Sequence, residues 1–419
     1  MTGREETPAD GATCDDGTEE GDRSGPLAGL TVVEAGTMIS AGTVGRFLAD
    51  FGAEVIKIEH PEAGDHLRHF GPQTDGVGLW WKYLGRNKKS VTLDVSTEEG
   101  QVVFEDLVAE ADVLVENFRP GTLERWNVGW DRLSTLNPDL VMLRLTGFGQ
   151  TGPYSDRPGF GTLAEAMSGF AYLNGYEDSE PLLPPTGLAD GVAALFSTFA
   201  IMFALYNRDA NGGGGQYIDT SLVEPIFSLL GPQPLRYQQL DEIEERSGNR
   251  STSSAPRNVY ETGDGRAVAI SASAQPIAMR VFDAIERPDL KDDPRFADNE
   301  SRLENIEELD RIIQDWMGDH TREEVLDRFE EYEATIAPVY NVAGILDDEH
   351  YRARDAVMEV EDDQLGTGLV QNTFPRFSET PGSVDHLGPP LGEHNAKVYG
   401  TLLAYDDETL ADLAADGGI

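Results

Sequence analysis

The apolar positions between residues 30 and 150 change period several times. "LTVVEAG" (30–36) is a β-branched run that ends in glycine, "SAGTVGRFLADFGA" (40–53) carries apolar residues at helical spacing, and "EVIKIEH" (54–60) reads as a strand again. The unit recurs. "SVTLDV" (90–95) leads through a Ser96-x-x-Glu99 capping box into the helical "QVVFEDLVAEA" (101–111), and "DVLVENF" (112–118) and "DLVMLRLTGFG" (139–149) supply further strands. Strands alternating with helices predict an α/β fold with a doubly wound parallel sheet, whose ligands sit beyond the carboxyl ends of the strands. Those ends are Ala35–Gly36, Glu59–His60, Asn117–Arg119 and Thr146–Gly149.

"GVAALFSTFAIMFALY" (191–206) follows, its only polar side chains being Ser197, Thr198 and Tyr206. It falls short of the ~20 residues that a membrane span needs, so it predicts a buried core helix. Four glycines at 212–215 then break the pattern. "NVYETGDGRAVAIS" (258–271) predicts a hairpin across Gly263–Gly265, charged helices fill about 276–332, and "GLVQNTFPRF" (368–377) gives one more strand before two short closing helices. The expected organisation is a disordered acidic tail (1–25), a large domain from 26–225 and 355–419, and a smaller α+β domain with its linkers at 226–354.

Charge narrows the partners. Asp plus Glu number 76 against 32 Lys plus Arg, a formal charge of −44 in 419 residues. Such a chain repels nucleic-acid phosphates and anionic membrane surfaces, so neither is expected as a partner. Its self-repulsion is tolerable in molar salt, where the Debye length falls to roughly 3 Å, which reads as a halophile's cytoplasmic protein. Cys14 is the sole cysteine, so no intrachain disulfide or thiolate metal cage can form.

The chemistry concentrates around one acid. Asp190, in "TGLADG" (186–191), stands in front of the apolar helix, where an N-cap role is the ordinary reading. A helix terminus would also keep the carboxylate ionised, and an ionised carboxylate at a cleft rim can act as a covalent nucleophile. Asn117, Phe118 and Arg119 end a strand just before "PGTLERW", so Arg119, Arg125 and the helix start converge where an anion would sit, although both arginines could equally pair with surface acids. Glu59 ends a second strand where a dinucleotide's ribose would lie, but Gly36, Gly42 and Gly45 do not form the glycine fingerprint of that site.

Taken in order, "GPLAGLTVVEAGTMISAGTVGRFLADFGAEVIKIE", "GRNKKSVTLDVSTEEG", "ADVLVENFRPGTLERW", "LNPDLVMLRLTGFGQTGPYSDRPGF", "GGGQYIDTSLVEP", "RNVYETGDG", "APVYNVAGILDD" and "GEHN" resemble the class III CoA-transferases, the family of formyl-CoA and carnitine CoA-transferases, over roughly 25–400. The resemblance implies a Rossmann-like large domain, a small middle domain and an interlocked homodimer. It places the nucleophile on Asp190 and coenzyme A contacts on Ile39, Ser40, His60, Asn117, Phe118, Arg119 and Arg125. His60 stands where relatives often carry arginine. Formyl-CoA transferases have an assisting carboxylate near Thr162, for which Glu165 is the substitute, and backbone N–H groups near Ile39 and Gly191 are candidates for holding an oxyanion. The resemblance implies acyl-CoA and a free carboxylic acid as substrates, with no permanently bound cofactor and no metal.

"GFGTLAEAMSGF" (159–170) is similar to the branch acting on C4 and C5 dicarboxylates, such as succinyl-CoA:mesaconate and succinyl-CoA:malate transferases. Malate, formate or oxalate, and carnitine are alternative acceptors. An α-methylacyl-CoA racemase would need a histidine base, and residues 120–319 contain none. A nicotinamide-binding protein of the same architecture is the remaining alternative.

Overall fold

A computed structural model of the chain describes residues 24–415 and 418–419; residues 1–23, which hold Cys14 and nearly all of the expected tail, and 416–417 lie outside them. Gly25, expected within the tail, is instead in place, its O accepting from Ala28 N at 3.2 Å.

Six strands form the central sheet: β1 (Thr31–Glu34), β2 (Glu54–Glu59), β3 (Lys88–Thr92), β4 (Val113–Glu116), β5 (Val141–Thr146) and β6 (Gln216–Ser221). Their order is β3-β2-β1-β4-β5-β6 with every pairing parallel. The order reverses between β1 and β4, and the crevice at such a reversal is where doubly wound sheets bind ligands. Alternation along the strands serves two layers. Val32, Val55, Val113 and Val141 face a cluster containing Ala41, Val44 and Leu48 of helix α1 (Met38–Asp50), whereas Val33, Ile56, Leu114 and Met142 face Val103, Phe104 and Leu107 of helix α2 (Glu98–Ala109).

One expectation is corrected on this sheet, and one strand goes beyond the sequence reading. Thr97, not Ser96, caps α2, accepting from Gly100 N at 3.0 Å, because Asp94 Oδ1 takes the Ser96 hydroxyl at 2.6 Å. β6 follows the glycine run unannounced: an edge strand with half its residues exposed lacks the apolar signal of its buried neighbours.

Helix α3 (Gly161–Met167) and the 24-residue helix α4 (Leu188–Asn211) complete the layer over β5. Among the described residues α4 is long and apolar enough to cross a bilayer by composition. It is not the fully buried helix that its sequence predicts. Ala189, Ala193, Ser197 and Ile201 are buried, but Phe199, Phe203 and Tyr206 are 57%, 72% and 66% exposed. The helix has two apolar faces, and this chain covers one of them.

The predicted hairpin is present as Arg257–Glu261 antiparallel to Ala267–Ser271, with Ile336–Pro338 as a third strand, over a separate core that includes Phe282, Phe296, Ile313 and Phe329. The later strand region is Gly366–Gln371, paired with Val357–Asp362, a partner whose "VMEVED" reads as charged surface. The chain then returns to the large sheet, where Asn395 Oδ1 accepts from Thr92 N at 2.9 Å and the Tyr399 hydroxyl donates to Thr92 O at 2.7 Å.

Candidate active site

The turn after β1 is held from three sides. Asn117, just past β4, accepts from Thr37 N at 2.8 Å and donates to Thr37 O at 2.7 Å, so its amide clamps the neighbouring turn instead of projecting freely toward a ligand. Asp65 accepts from Met38 N at 3.2 Å. Lys57 donates to Gly36 O and pairs with Asp65 at 2.8 Å and Glu34 at 3.3 Å, and Lys88 donates to the same Glu34 at 2.6 Å. Burial opposes the charge on Lys57, yet Asp65 and Glu34 outweigh it and push the ammonium above its ordinary range. The turn needs this support. Met38 has φ +64°, a left-handed conformation costly for a bulky side chain and one that clusters at ligand sites.

Asp190 faces this turn from the start of α4. It is not the N-cap, which is Gly187; it is the third residue of the first turn and makes no cap bond. Glu165 of α3, 3% exposed, does the capping from outside, its Oε1 accepting from Ala189 N at 3.2 Å. Its surroundings work against the charge more than the helix end supports it. Desolvation and the adjacent Glu165 charge push Asp190 up to about 6, against the weaker pull of its own backbone N–H. Gly191 N is spent as well, donating to Gly187 O at 3.0 Å, so it is not free for an oxyanion.

Gly161 makes room for the acid. A Cβ there would lie 2.2 Å from Asp190 Oδ2, so any side chain at this position displaces the carboxylate. Its φ lies outside the left-handed region that favours glycine, so Gly161→Ala is expected to keep the melting temperature while slowing turnover by roughly 10- to 100-fold through misplacement of the acid. A variant with the wild-type rate would contradict this.

Asp190 opens into a cavity of about 220 Å³ bounded by Thr37, Ser40, Asn117, Phe118, Arg119, Thr146 and Arg157. A second cavity of about 270 Å³ holds His60, Asp94, Ser96 and Trp126, and Thr37 and Phe118 border both. The Phe118 backbone is fixed by Glu116, which accepts from its N–H at 2.7 Å and from Arg144 Nε at 2.8 Å; burial pushes Glu116 up to about 7 against the pull of Arg144. His60 lies 3.8 Å from Asp94, and its Nδ1 accepts from Glu62 N at 3.2 Å. Ile39 borders neither cavity; its Cδ1 would lie 3.5 Å from a Cβ on Gly187. Arg125 also stays outside both, folded back to donate to Thr122 Oγ1 at 2.8 Å.

Thus Ser40, Asn117, Phe118, Arg119 and Asp190 come together, His60 belongs to the adjoining cavity, and Glu165 sits behind Asp190. Sequence reasoning reached Thr146 only as a strand end and missed Arg157 and Gly161. The "RPG" of "SDRPGFG" parallels "FRPG" at Arg119 and was a usable signal for Arg157. No histidine borders the Asp190 cavity, so the base that a racemase requires is missing there. A larger hollow of about 470 Å³ beside Arg266, Arg322 and Tyr340 lies in the smaller sheet, away from this acid.

A doubly wound α/β fold that sets a half-buried carboxylate beside two arginines at the strand-order reversal has the arrangement of a site for an anionic ligand. A sequence model of CoA-transferase family III matches residues 27–395, and the chain belongs to that family. Class III CoA-transferases use CoA thioesters as substrates. The succinyl-CoA–D-citramalate CoA-transferase of Chloroflexus aurantiacus is 41% identical over 391 residues, covering 93% of this chain and 97% of its own. The succinyl-CoA–L-malate CoA-transferase beta subunit of the same organism is 42% identical, covering 93% and 96%. The crystal structure of a CAIB/BAIF family protein from Brucella suis superimposes with a TM-score of 0.81 at 32% identity, covering 91% of this chain and all of that one.

Proposed function

We propose that this enzyme transfers CoA from succinyl-CoA to a C4 or C5 dicarboxylic acid, mesaconate or a close relative such as citramalate or malate, through covalent catalysis by Asp190. The observation that carries the reading is the desolvated Asp190 carboxylate in the cavity at the sheet's reversal point. One carboxylate oxygen attacks the thioester carbonyl and expels CoA thiolate, leaving a mixed succinyl-aspartyl anhydride. The thiolate attacks the aspartyl carbonyl, releasing succinate and forming an aspartyl-CoA thioester. The acceptor carboxylate then displaces CoA to give a second anhydride, and thiolate attack on its acyl carbonyl yields the new CoA ester and free Asp190.

The site fits these steps. Burial raises the energy of the anionic nucleophile and limits the water that would hydrolyse an anhydride. α1 has no side-chain cap, so the first-turn amide of Ser40, which borders the Asp190 cavity, serves as an oxyanion donor. Phe118 carries the pantetheine between the two cavities, with the nucleotide end toward His60 and the acyl end at Asp190. Arg119 and Arg125 meet CoA phosphates at the rim.

The same reading includes an interlocked homodimer in a salt-rich cytoplasm. The open face of α4 at Phe199, Phe203 and Tyr206, with Leu235, Tyr237 and Leu240 also exposed, supplies an apolar surface of the kind that a second subunit covers. Incubating the enzyme in molar salt with succinyl-CoA and a panel of free acids, then identifying the thioesters formed, tests the reaction. Mesaconyl-, citramalyl- or malyl-CoA is the expected product, and formyl-, oxalyl- or carnitinyl-CoA in its place would contradict the substrate class.

A further inference from the structure

We infer that Arg157, with the Thr146 hydroxyl, binds the distal carboxylate of the dicarboxylic acyl group and so sets acid specificity. The inference rests on the dicarboxylate reading above and assigns that reading a site.

Three observations carry it. First, Arg157 borders the Asp190 cavity without an ion pair or side-chain hydrogen bond among the described residues, in a chain where acids outnumber bases by 44. Most of the other described arginines are neutralised, such as Arg68 by Glu59 at 2.7 Å, Arg86 by Asp50 at 2.6 Å and Arg144 by Glu116 at 2.8 Å. A guanidinium left unpaired amid so many carboxylates is available for an anion that arrives with the substrate. It is also braced, with Cζ 3.7 Å from the centre of the Tyr154 ring.

Second, Thr146 borders the same cavity, is 7% exposed, and its Oγ1 is buried with no hydrogen-bond partner. Buried hydroxyls are rarely left without a partner, so this one has a hydrogen bond to offer a ligand or a water in the cavity. The two residues belong to touching segments, since a Cβ on Gly147 would lie 2.6 Å from Gly159 Cα. Third, the cavity of about 220 Å³ is below the ~300 Å³ at which drug-sized sites begin, which suits a four- or five-carbon acyl group.

Arg119 is the other unpaired arginine of this cavity, but it has a different task. It follows Phe118, which borders both cavities, and so lies toward the CoA chain, whereas Arg157 lies on the segment that touches the end of β5 beside Thr146. Asp190 attacks one carbonyl of the acyl group while Arg157 holds the carboxylate at its other end.

The test compares succinyl-CoA with butyryl-CoA, which has the same four carbons but no distal carboxylate. The wild type should prefer succinyl-CoA strongly in kcat/KM. Arg157→Ala should reduce that preference ratio by about 10- to 100-fold, as expected for a lost charge-assisted hydrogen bond, and Arg157→Lys should recover part of it. Thr146→Val should reduce it about tenfold. A wild type that discriminates, with a preference that survives Arg157→Ala, overturns this inference alone. A wild type active on both esters without preference sinks the dicarboxylate reading together with it.

Discussion

Replacing Asp190 with Asn should abolish CoA transfer, lowering turnover by at least about 10⁴-fold, and should make the fold more stable. The first effect follows from the absence of a substitute: Glu165, the nearest acid, is buried behind Asp190 and engaged with Ala189 N, so it cannot take over as acyl carrier. The second follows from linkage. Asp190 is pushed up to about 6 from 3.8, so the folded state binds its proton more tightly than the unfolded chain does. Below pH 3.8 both states are protonated and the residue is neutral to stability; between 3.8 and 6 stability falls as pH rises, and above 6 the whole penalty is present. Asparagine removes it, a gain of about 1–3 kcal/mol at pH 7 once partial exposure is allowed for. The unfolding midpoint of Asp190→Asn should therefore exceed wild type at pH 7 and converge with it near pH 4. A variant that is inactive and less stable at pH 7 would show that the carboxylate supports the fold, contrary to this account.

Low salt should unfold the enzyme. With 76 acids against 32 bases, the formal charge of −44 is screened within roughly 3 Å at molar ionic strength but acts over ~30 Å at 0.01 M. Repulsion on that scale opposes the compact state. The interior does not share this sensitivity, because Lys57–Asp65, Lys88–Glu34 and Arg86–Asp50 are buried ion pairs that salt barely reaches. Dialysis from molar to millimolar salt should lose the circular dichroism of the sheet and helices, with a melting temperature that climbs steadily as salt is restored. An unchanged spectrum and melt would make the acidity incidental.

The sheet was legible in the sequence where β-branched and apolar residues cluster in short runs between helical segments, as Val32–Val33, Val55–Ile56 with Ile58, and Val141–Leu143 with Leu145 do. It was illegible where burial is incomplete or ionic. β6 is an exposed edge, and β3 begins with Lys88 and Lys89, buried lysines whose partners Glu34 and Glu54 lie on other strands. Asp190 could be picked out from its position ahead of an apolar helix, but its ionisation could not. The Glu165 contact that displaces it from capping joins residues 24 positions apart, and no local pattern announces such a contact. Arg157 was hidden by a similar ambiguity, since it is an exposed arginine set apart only by its missing partner and its place on the Asp190 cavity.

The central claim is that Asp190 becomes covalently acylated, and trapping that species tests it most directly. Enzyme given succinyl-CoA without acceptor should hold an activated aspartyl carbonyl, which neutral hydroxylamine converts to a hydroxamate. Peptide mass spectrometry should then find the added mass on the peptide that contains Asp190, only after succinyl-CoA treatment and never in Asp190→Asn. The adduct on Glu165, or no adduct while transfer proceeds at full rate, would contradict the account.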